Sequence, residues 1–392
     1  MEGARRWPVI AALGILQIFA WGSSYYLMAV MAPAIVADTG WSLPWVVGAL
    51  SVALLSAGLS SPLVGRRITA SGGRAVLAAG CGFLAVGLGL ASLAPNLAGF
   101  YLSWAVMGLG MSAALYDPAF ATLGRLYGQD ARSAITALTL WGGFASTLCW
   151  PLSTWLLTEF DWRGALRIYA LILLLLCLPL IAALVPKEAR PAAPRADDKP
   201  RKPRLEGRDR LAFRLMAAIL VIAGTTVTIV SVHLLTLLQS QGISLSEAVA
   251  IGAMIGPAQV GARLIEMAGK GRHHPIWTLL GASGAVAFGL ILLAIDVRLP
   301  AFAIILYGAG NGIFSIARGA LPLTLFGPER YAVVMGDLAR PSLIAQAAAP
   351  LIGGMLIAAT GATSTLTILA MLGMSGFALV LLLFYHWQPL QS

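Results

Sequence analysis

From Pro186 to Arg210 the chain reads PKEARPAAPRADDKPRKPRLEGRDR, a proline-rich run of charge set between two long apolar stretches. A charged side chain at the centre of a bilayer costs about 2.5 to 3.5 kcal/mol on insertion scales, so this run cannot be buried in lipid. It also holds too little apolar surface to offset the entropy of ordering it in a core of its own. It reads as a solvated linker, and it divides the chain into 1–185, 186–210 and 211–392.

What lies on either side is apolar to a degree that excludes a soluble domain. The chain is 59% hydrophobic and only 11% charged, against about 25% charged in soluble proteins. Windows of about 20 apolar residues, the length that crosses some 30 Å at 1.5 Å per residue, can be placed twelve times. They cover 9–37, 44–64, 74–94, 97–124, 133–158 and 164–185, then 211–240, 246–268, 275–295, 300–326, 332–359 and 363–386. The first follows Arg5 and Arg6 and ends in Ala32-Pro33-Ala34, which mimics a cleavable signal. At about 25 residues it exceeds a signal's 7 to 15 and reads as a first span. The expected fold is an all-α polytopic membrane protein with twelve transmembrane helices in two pseudo-symmetric six-helix bundles.

Charge placement orients these spans. With the N-terminus inside, the inner ends and loops hold Arg5, Arg6, Arg66, Arg67, Arg74, Arg125, Arg132, the linker, Lys270, Arg272 and Arg330. The outer loops hold Arg163, Arg167 and Arg298. This satisfies the positive-inside rule with both termini cytoplasmic, so Lys199 and Ser392 should share a side. The formal charge of +10 does not point to nucleic acid, because no basic stripe alternates with aromatics. Cys81, Cys149 and Cys177 lie in apolar segments without close spacing and read as small buried hydrophobes, neither disulfides nor metal ligands.

The halves repeat. Gly40-Trp41-Ser42-Leu43 recurs as Gly242-Ile243-Ser244-Leu245, Gly108-Leu109-Gly110 as Gly308-Ala309-Gly310, and Pro151-Leu152 as Pro350-Leu351, all at offsets close to 200 residues. Copies six spans apart have the same orientation, the parallel repeat of many transporters.

Between the second and third spans, Gly65-Arg66-Arg67-Ile68-Thr69-Ala70-Ser71-Gly72-Gly73-Arg74 resembles the G-x-x-x-D-R-x-G-x-R loop of the major facilitator superfamily. Gly65, Gly72 and Arg74 match, while Thr69 and Ala70 stand where the motif has Asp and Arg. Gly261-Ala262-Arg263-Leu264-Ile265-Glu266 is a looser echo in the second half. Within the superfamily, Trp21-Gly22-Ser23-Ser24-Tyr25-Tyr26, Gly40-Trp41-Ser42, Gly108-Leu109-Gly110-Met111, Tyr116-Asp117-Pro118-Ala119-Phe120 and Trp162-Arg163-Gly164-Ala165 resemble the monocarboxylate and oxalate/formate branch. The resemblance implies a secondary active transporter in the plasma membrane, bacterial inner membrane in the preferred reading. It would move a small solute by alternating access, an organic anion such as a monocarboxylate with a proton as its partner, and act as a monomer without a cofactor. That branch resembles a design with a basic residue in the eighth span that grips the carboxylate. Here 253–260 carries no charge, and Arg263 is placed too close to the cytoplasm for that task.

If the first, fourth, seventh and tenth spans line a cavity, as the resemblance implies, their polar residues are the candidates. Asp117 and Arg318 occupy near-equivalent places in the two repeats with opposite charges, and buried charges need partners. In one reading Asp117 pairs with Arg67 or Arg74, and Arg318 with Glu266 or Asp337. These would form a cytoplasmic gate with Gly65, Gly72, Arg74, Glu266 and Asp337. In the other, Arg318 attracts a substrate carboxylate and Asp117 carries the coupling proton. Gln17, Trp21, Tyr25, Tyr26, Thr225, Asn311 and Gln346 suit a small ligand near the midplane or hydrogen bonds across helices. His233 titrates in the right range to carry a proton or serves as a polar anchor.

Other classes fit less well. No H-E-x-x-H or G-x-S-x-G is present, and the Gly-x-Gly pairs lie inside apolar helices, so neither a metal site nor an intramembrane enzyme is expected. A non-transporting receptor would need an output domain that the linker and tails are too short to supply. A drug/proton antiporter is the serious rival, although its fifth-span glycine-proline pattern is not matched by Trp141-Gly142-Gly143-Phe144 and Cys149-Trp150-Pro151-Leu152.

Overall fold

The structure, a computed structural model, describes residues 6–187, 205–269, 273–295 and 299–387. Arg5, Lys199, most of the polar linker, Lys270, Arg272, Arg298 and Ser392 lie outside the described residues. The described chain is helical throughout, with no strand. In lipid every backbone N–H and C=O must be satisfied within the segment, which leaves helices as the form for such apolar runs.

The first apolar run is two helices, α1 (Arg6–Gly22) and α2 (Leu27–Thr39). Then come α3 (Leu43–Ser71), α4 (Gly73–Leu93), α5 (Leu97–Ala114), α6 (Tyr116–Tyr127), α7 (Ala131–Gly143), α8 (Ala145–Ile172) and α9 (Leu178–Leu184). The second half has α10 (Gly207–Gln239), α11 (Leu245–Ala253), α12 (Ile255–Ala268), α13 (Pro275–Ala294), α14 (Pro300–Thr360) and α15 (Ala362–Trp387). Among the described residues nine apolar stretches are long enough to cross a membrane. Two exceed one crossing, at 88 and 61 residues, and each is broken by non-helical backbone, at Asp161 in α8 and at Gly327 in α14. Divided there and also at Gly128, at φ 54° within the first of them, they are compatible with twelve crossings. Helix α3 outlasts the apolar window that ends at residue 64. Helix α3 runs on to Ser71, so most of the presumed loop motif is helical and only Gly72, at φ 81°, turns the chain.

Two compact units form, Met1–Arg204 with Phe326–Ala347, and Leu205–Leu325 with Ala348–Ser392. In the first, α14 residues of 326–347 pack directly on α3. A Cβ on Gly65 would lie 2.4 Å from the Ala332 carbonyl oxygen, and one on Gly336 would lie 2.5 Å from that of Ser61. Such backbone-to-backbone approach is the standard use of small residues in membrane helices.

The repeat is visible inside each unit. Gly108 packs on Ala53 of α3 and Gly110 on Leu84 of α4; Gly308 packs on Ile255 of α12 and Gly310 on Val286 of α13. The positive-φ turns recur too, Gly40 with Gly242, Gly128 with Gly327, and Asp161 with Gly361. Matching glycines thus fix matching helix neighbours in both halves.

Candidate functional site

In the first unit, two helix breaks meet. The run Gly22-Ser23-Ser24 ends α1, and Tyr26 N–H reaches back five residues to the Trp21 carbonyl at 3.0 Å. The side-chain oxygen of Ser23 is fully buried and has no hydrogen-bond partner among the described residues. The second break, at Leu115 between α5 and α6, has a covalent cause. Pro118 has no N–H to give the Ala114 carbonyl four residues earlier. Gln17 Nε2 supplies the missing donor to Ala114 at 2.8 Å, and Gln17 Oε1 accepts from Trp21 Nε1 at 3.2 Å.

Around these breaks the aromatic rings form a continuous wall. Trp21 lies 5.4 Å from Tyr25, 5.9 Å from Tyr26 and 5.4 Å from Tyr116. Tyr26 extends it to Trp150 at 6.3 Å, and Tyr116 stacks on Phe120 at 5.1 Å. Tyr116, Ser23 and Trp150 were not among the candidates read from sequence; the adjacent Pro118 is the signal that marks the break.

Asp117 sits half-buried in the first turn of α6, where the helix dipole favours a negative charge. Arg67 is exposed, Arg74 half-buried, and neither makes an ion pair among the described residues. Arg125 instead ties the end of α3, donating from Nη1 to the Thr69 carbonyl. Gly65 touches the segment that carries Asp337, which is itself half-buried. Gln346 is buried and turned onto its own helix, donating to Ser342 Oγ at 3.1 Å.

The second unit carries the strongest electrostatic feature. Pro257 leaves the Ala253 carbonyl without its helical donor, and the helix breaks at Met254 between α11 and α12. Two turns on is Arg263. Its residue is only 5% exposed, its Nε donates to the Gly312 carbonyl at 3.2 Å, and its Nη2 approaches Gln259 Oε1 at 3.5 Å. Nη1 is buried with no hydrogen-bond partner among the described residues. No carboxylate lies within ion-pair distance among the described residues.

The backbone position of Arg263 near the inner end of its helix is not where its charge lies. Helical side chains lean toward the helix N-terminus, which here carries the guanidinium back to the level of Gly312, next to Asn311. The groove that admits it is made by glycine. A Cβ on Gly312 would lie 2.6 Å from the Gln259 carbonyl oxygen, and one on Gly308 would lie 3.1 Å from Ile255 Cα.

The other candidates in this unit divide. Asn311 lines a cavity of about 40 Å³ with Thr226, Ser283 and Tyr307 among apolar neighbours. Thr226 Oγ1 is buried there without a partner among the described residues, unlike Thr228, which bonds the Gly224 carbonyl at 2.9 Å. Thr225 and Arg318 are half-buried. Glu266 accepts from Thr278 Oγ1 at 2.8 Å and His273 Nε2 at 3.2 Å, joining α12 to α13. His233 Nε2 lies 3.0 Å from the Pro350 carbonyl. A carbonyl only accepts, so that nitrogen carries the proton in either charge state of the ring.

Broken apolar helices, a repeat of paired glycines and a buried cation without a counter-charge among the described residues define an integral membrane protein that handles small solutes. A family model described as the Major Facilitator Superfamily matches residues 13–339, and the chain belongs to that superfamily: it is a transporter, not an enzyme. Monocarboxylate transporter 13 of Rattus norvegicus is 37% identical over 107 residues, 27% of this chain and 25% of that protein. Monocarboxylate transporter 11 of Homo sapiens is 29% identical over 231 residues, 58% of this chain and 47% of that protein. The matched region thus spans less than half the length of either relative. The fold is that of the human organic anion transporter MFSD10 (TETRAN), with a TM-score of 0.72 and 16% identity over 97% of this chain and 100% of that one. It is equally that of the E. coli fucose:proton symporter FucP, with a TM-score of 0.74 and 14% identity over 97% of this chain and 98% of that one.

Proposed function

We propose that the protein is a gradient-driven transporter of a small organic anion, a monocarboxylate in the preferred form, working by alternating access. The observation that carries this reading is the uncompensated guanidinium of Arg263. An unpaired buried charge costs several kcal/mol, and retaining one makes physical sense where an anionic ligand completes it. A planar carboxylate matches the fork geometry of a guanidinium. The partial relatives named as monocarboxylate transporters point to the same cargo. Arg263 is covered in this conformation, so the account requires that the cycle uncover it.

Supporting roles follow from how much of each side chain is already engaged. Both ends of the Gln17 carboxamide are occupied, which makes it a brace for the aromatic wall; Trp21, Tyr25 and Tyr26 offer ring faces to the body of a ligand. Thr225, Asn311 and Arg318 serve the same unit as Arg263, and Gly65, Gly72, Asp117, Glu266 and Asp337 belong to the cytoplasmic gate. Described arginines at the inner ends (Arg66, Arg67, Arg74, Arg125, Arg132 and Arg330) outnumber Arg163 and Arg167 at the outer ends. This favours cytoplasmic termini in a plasma membrane, bacterial inner membrane in the preferred reading.

The test is flux into proteoliposomes across a panel of carboxylic acids and lipophilic cationic drugs, with wild type and Arg263→Gln. Saturable uptake of an acid by wild type, lost in Arg263→Gln, is expected. Transport of a cationic drug alone would replace this reading with a drug antiporter.

A further inference from the structure

The anion reading raises the question of what compensates the cargo's charge as it crosses. We infer that nothing at the binding cation does: the anion moves as a net negative charge, so that an inside-negative membrane drives it outward and the protein works as an exporter. This rests on the proposed role of Arg263.

Coupling an anion to a proton at its own site needs a titratable group touching the binding cation. The contacts of the Arg263 guanidinium are the Gly312 carbonyl and the Gln259 carboxamide, neither of which titrates, and arginine keeps its proton in proteins. Among the described residues of this unit no titratable group is in hydrogen-bond contact with that guanidinium. The described residues of this unit contain four carboxylates, Glu206, Asp209, Glu247 and Glu266. Glu206 and Asp209 stand at the start of α10. Glu247 lies in the first turn of α11, tied into a capping box with Ser244. Glu266 is on α12 itself but is taken up by Thr278 and His273. On the packed segment of α14 the charged neighbour of Gly312 is another cation, Arg318, and Tyr307 is the nearby phenol. On α10, His233 is directed to the Pro350 carbonyl, and α13 carries no charged residue from Pro275 to Ala294.

Over a complete cycle the protein's own charges return to where they began. The net charge moved is then that of the cargo and of any ion travelling with it. For one elementary charge the membrane potential supports a concentration ratio of about 50-fold per 100 mV, with the anion gathering on the positive side.

The purified full chain is reconstituted into liposomes preloaded with radiolabelled pyruvate or lactate, with potassium and valinomycin setting the potential and protein-free vesicles as the background. An inside-negative potential should expel the label without a pH gradient, and an inside-positive one should draw it in. The sign is the same for either orientation of the protein. A pH gradient with the voltage held at zero should produce no accumulation. Gln259→Glu, which sets a titratable carboxylate beside Arg263, should make transport respond to the pH gradient. Accumulation in wild type driven by the pH gradient at zero voltage, with no response to potential, would overturn the inference while leaving the anion reading intact. No flux of either acid under any gradient would overturn both.

Discussion

Gln17 donates to the carbonyl of Ala114 at 2.8 Å, and that carbonyl is the one Pro118 leaves without a backbone donor. A polar side chain in the first apolar segment thus closes a defect in the fourth. The two residues should be energetically coupled. Replacing Gln17 by Leu strands a buried acceptor at a cost of about 1 to 3 kcal/mol, read as a lower thermal midpoint in detergent. Pro118→Ala restores the backbone donor, so the double variant should lose less than the sum of the singles, by about 0.5 to 2 kcal/mol. Strict additivity would mean that the carbonyl does not need Gln17.

Gly65 and Gly336 are expected to tolerate no side chain. Each added Cβ would meet a backbone carbonyl at 2.4 or 2.5 Å, and backbone cannot rotate away as a side-chain end can. Gly65→Val or Gly336→Val should destabilise the protein by about 1 to 3 kcal/mol. It should also raise the labelling of a cysteine placed at Ser61 by a water-soluble maleimide. Unchanged labelling would show that α3 and α14 do not depend on this contact.

Asp161 holds φ 58° and ψ 179°, a region that suits glycine and strains other residues by about 1 to 3 kcal/mol. Its carboxylate offsets part of that by accepting from the Gly164 amide at 2.9 Å. Asp161→Ala keeps the strain and loses the bond, so its thermal midpoint should fall; Asp161→Gly loses the bond and the strain together and should lie above Asp161→Ala. The reverse order of the two variants would contradict the backbone assignment.

Thr226→Val removes a buried hydroxyl that has no partner while keeping its shape. The expected result is a midpoint equal to wild type or higher by up to about 1 kcal/mol. A clear loss of stability would mean that the hydroxyl is bonded in the membrane.

Much of this was legible in the sequence because hydropathy and small residues act locally. The apolar windows fall on the helices, and Gly108-Leu109-Gly110 with Gly308-Ala309-Gly310 mark the close crossings in both halves, since only small residues allow backbones that near. What was not legible depends on direction. Arg263 looks out of reach when counted by residue number, yet a helical side chain leans toward the N-terminus and travels back along the groove beside Gly312. The breaks near Ser23 and Leu115 were hidden for a related reason: an apolar window does not report whether the helix inside it is continuous. Pro118 and Pro257 were the available signals, each removing one backbone donor.

Arg263 is the cation that awaits an anion, and thermal unfolding with and without ligand tests that role most directly. Arg263→Gln is compared with wild type in detergent while a carboxylate such as pyruvate is titrated. A ligand that binds only the folded state raises stability by about 2.7 kcal/mol at a hundred times its dissociation constant. The predicted result is a concentration-dependent rise in the wild-type midpoint that is absent in Arg263→Gln, whose own unliganded midpoint is no lower because an uncompensated buried charge has been removed. Equal ligand-induced rises in the two proteins would contradict it.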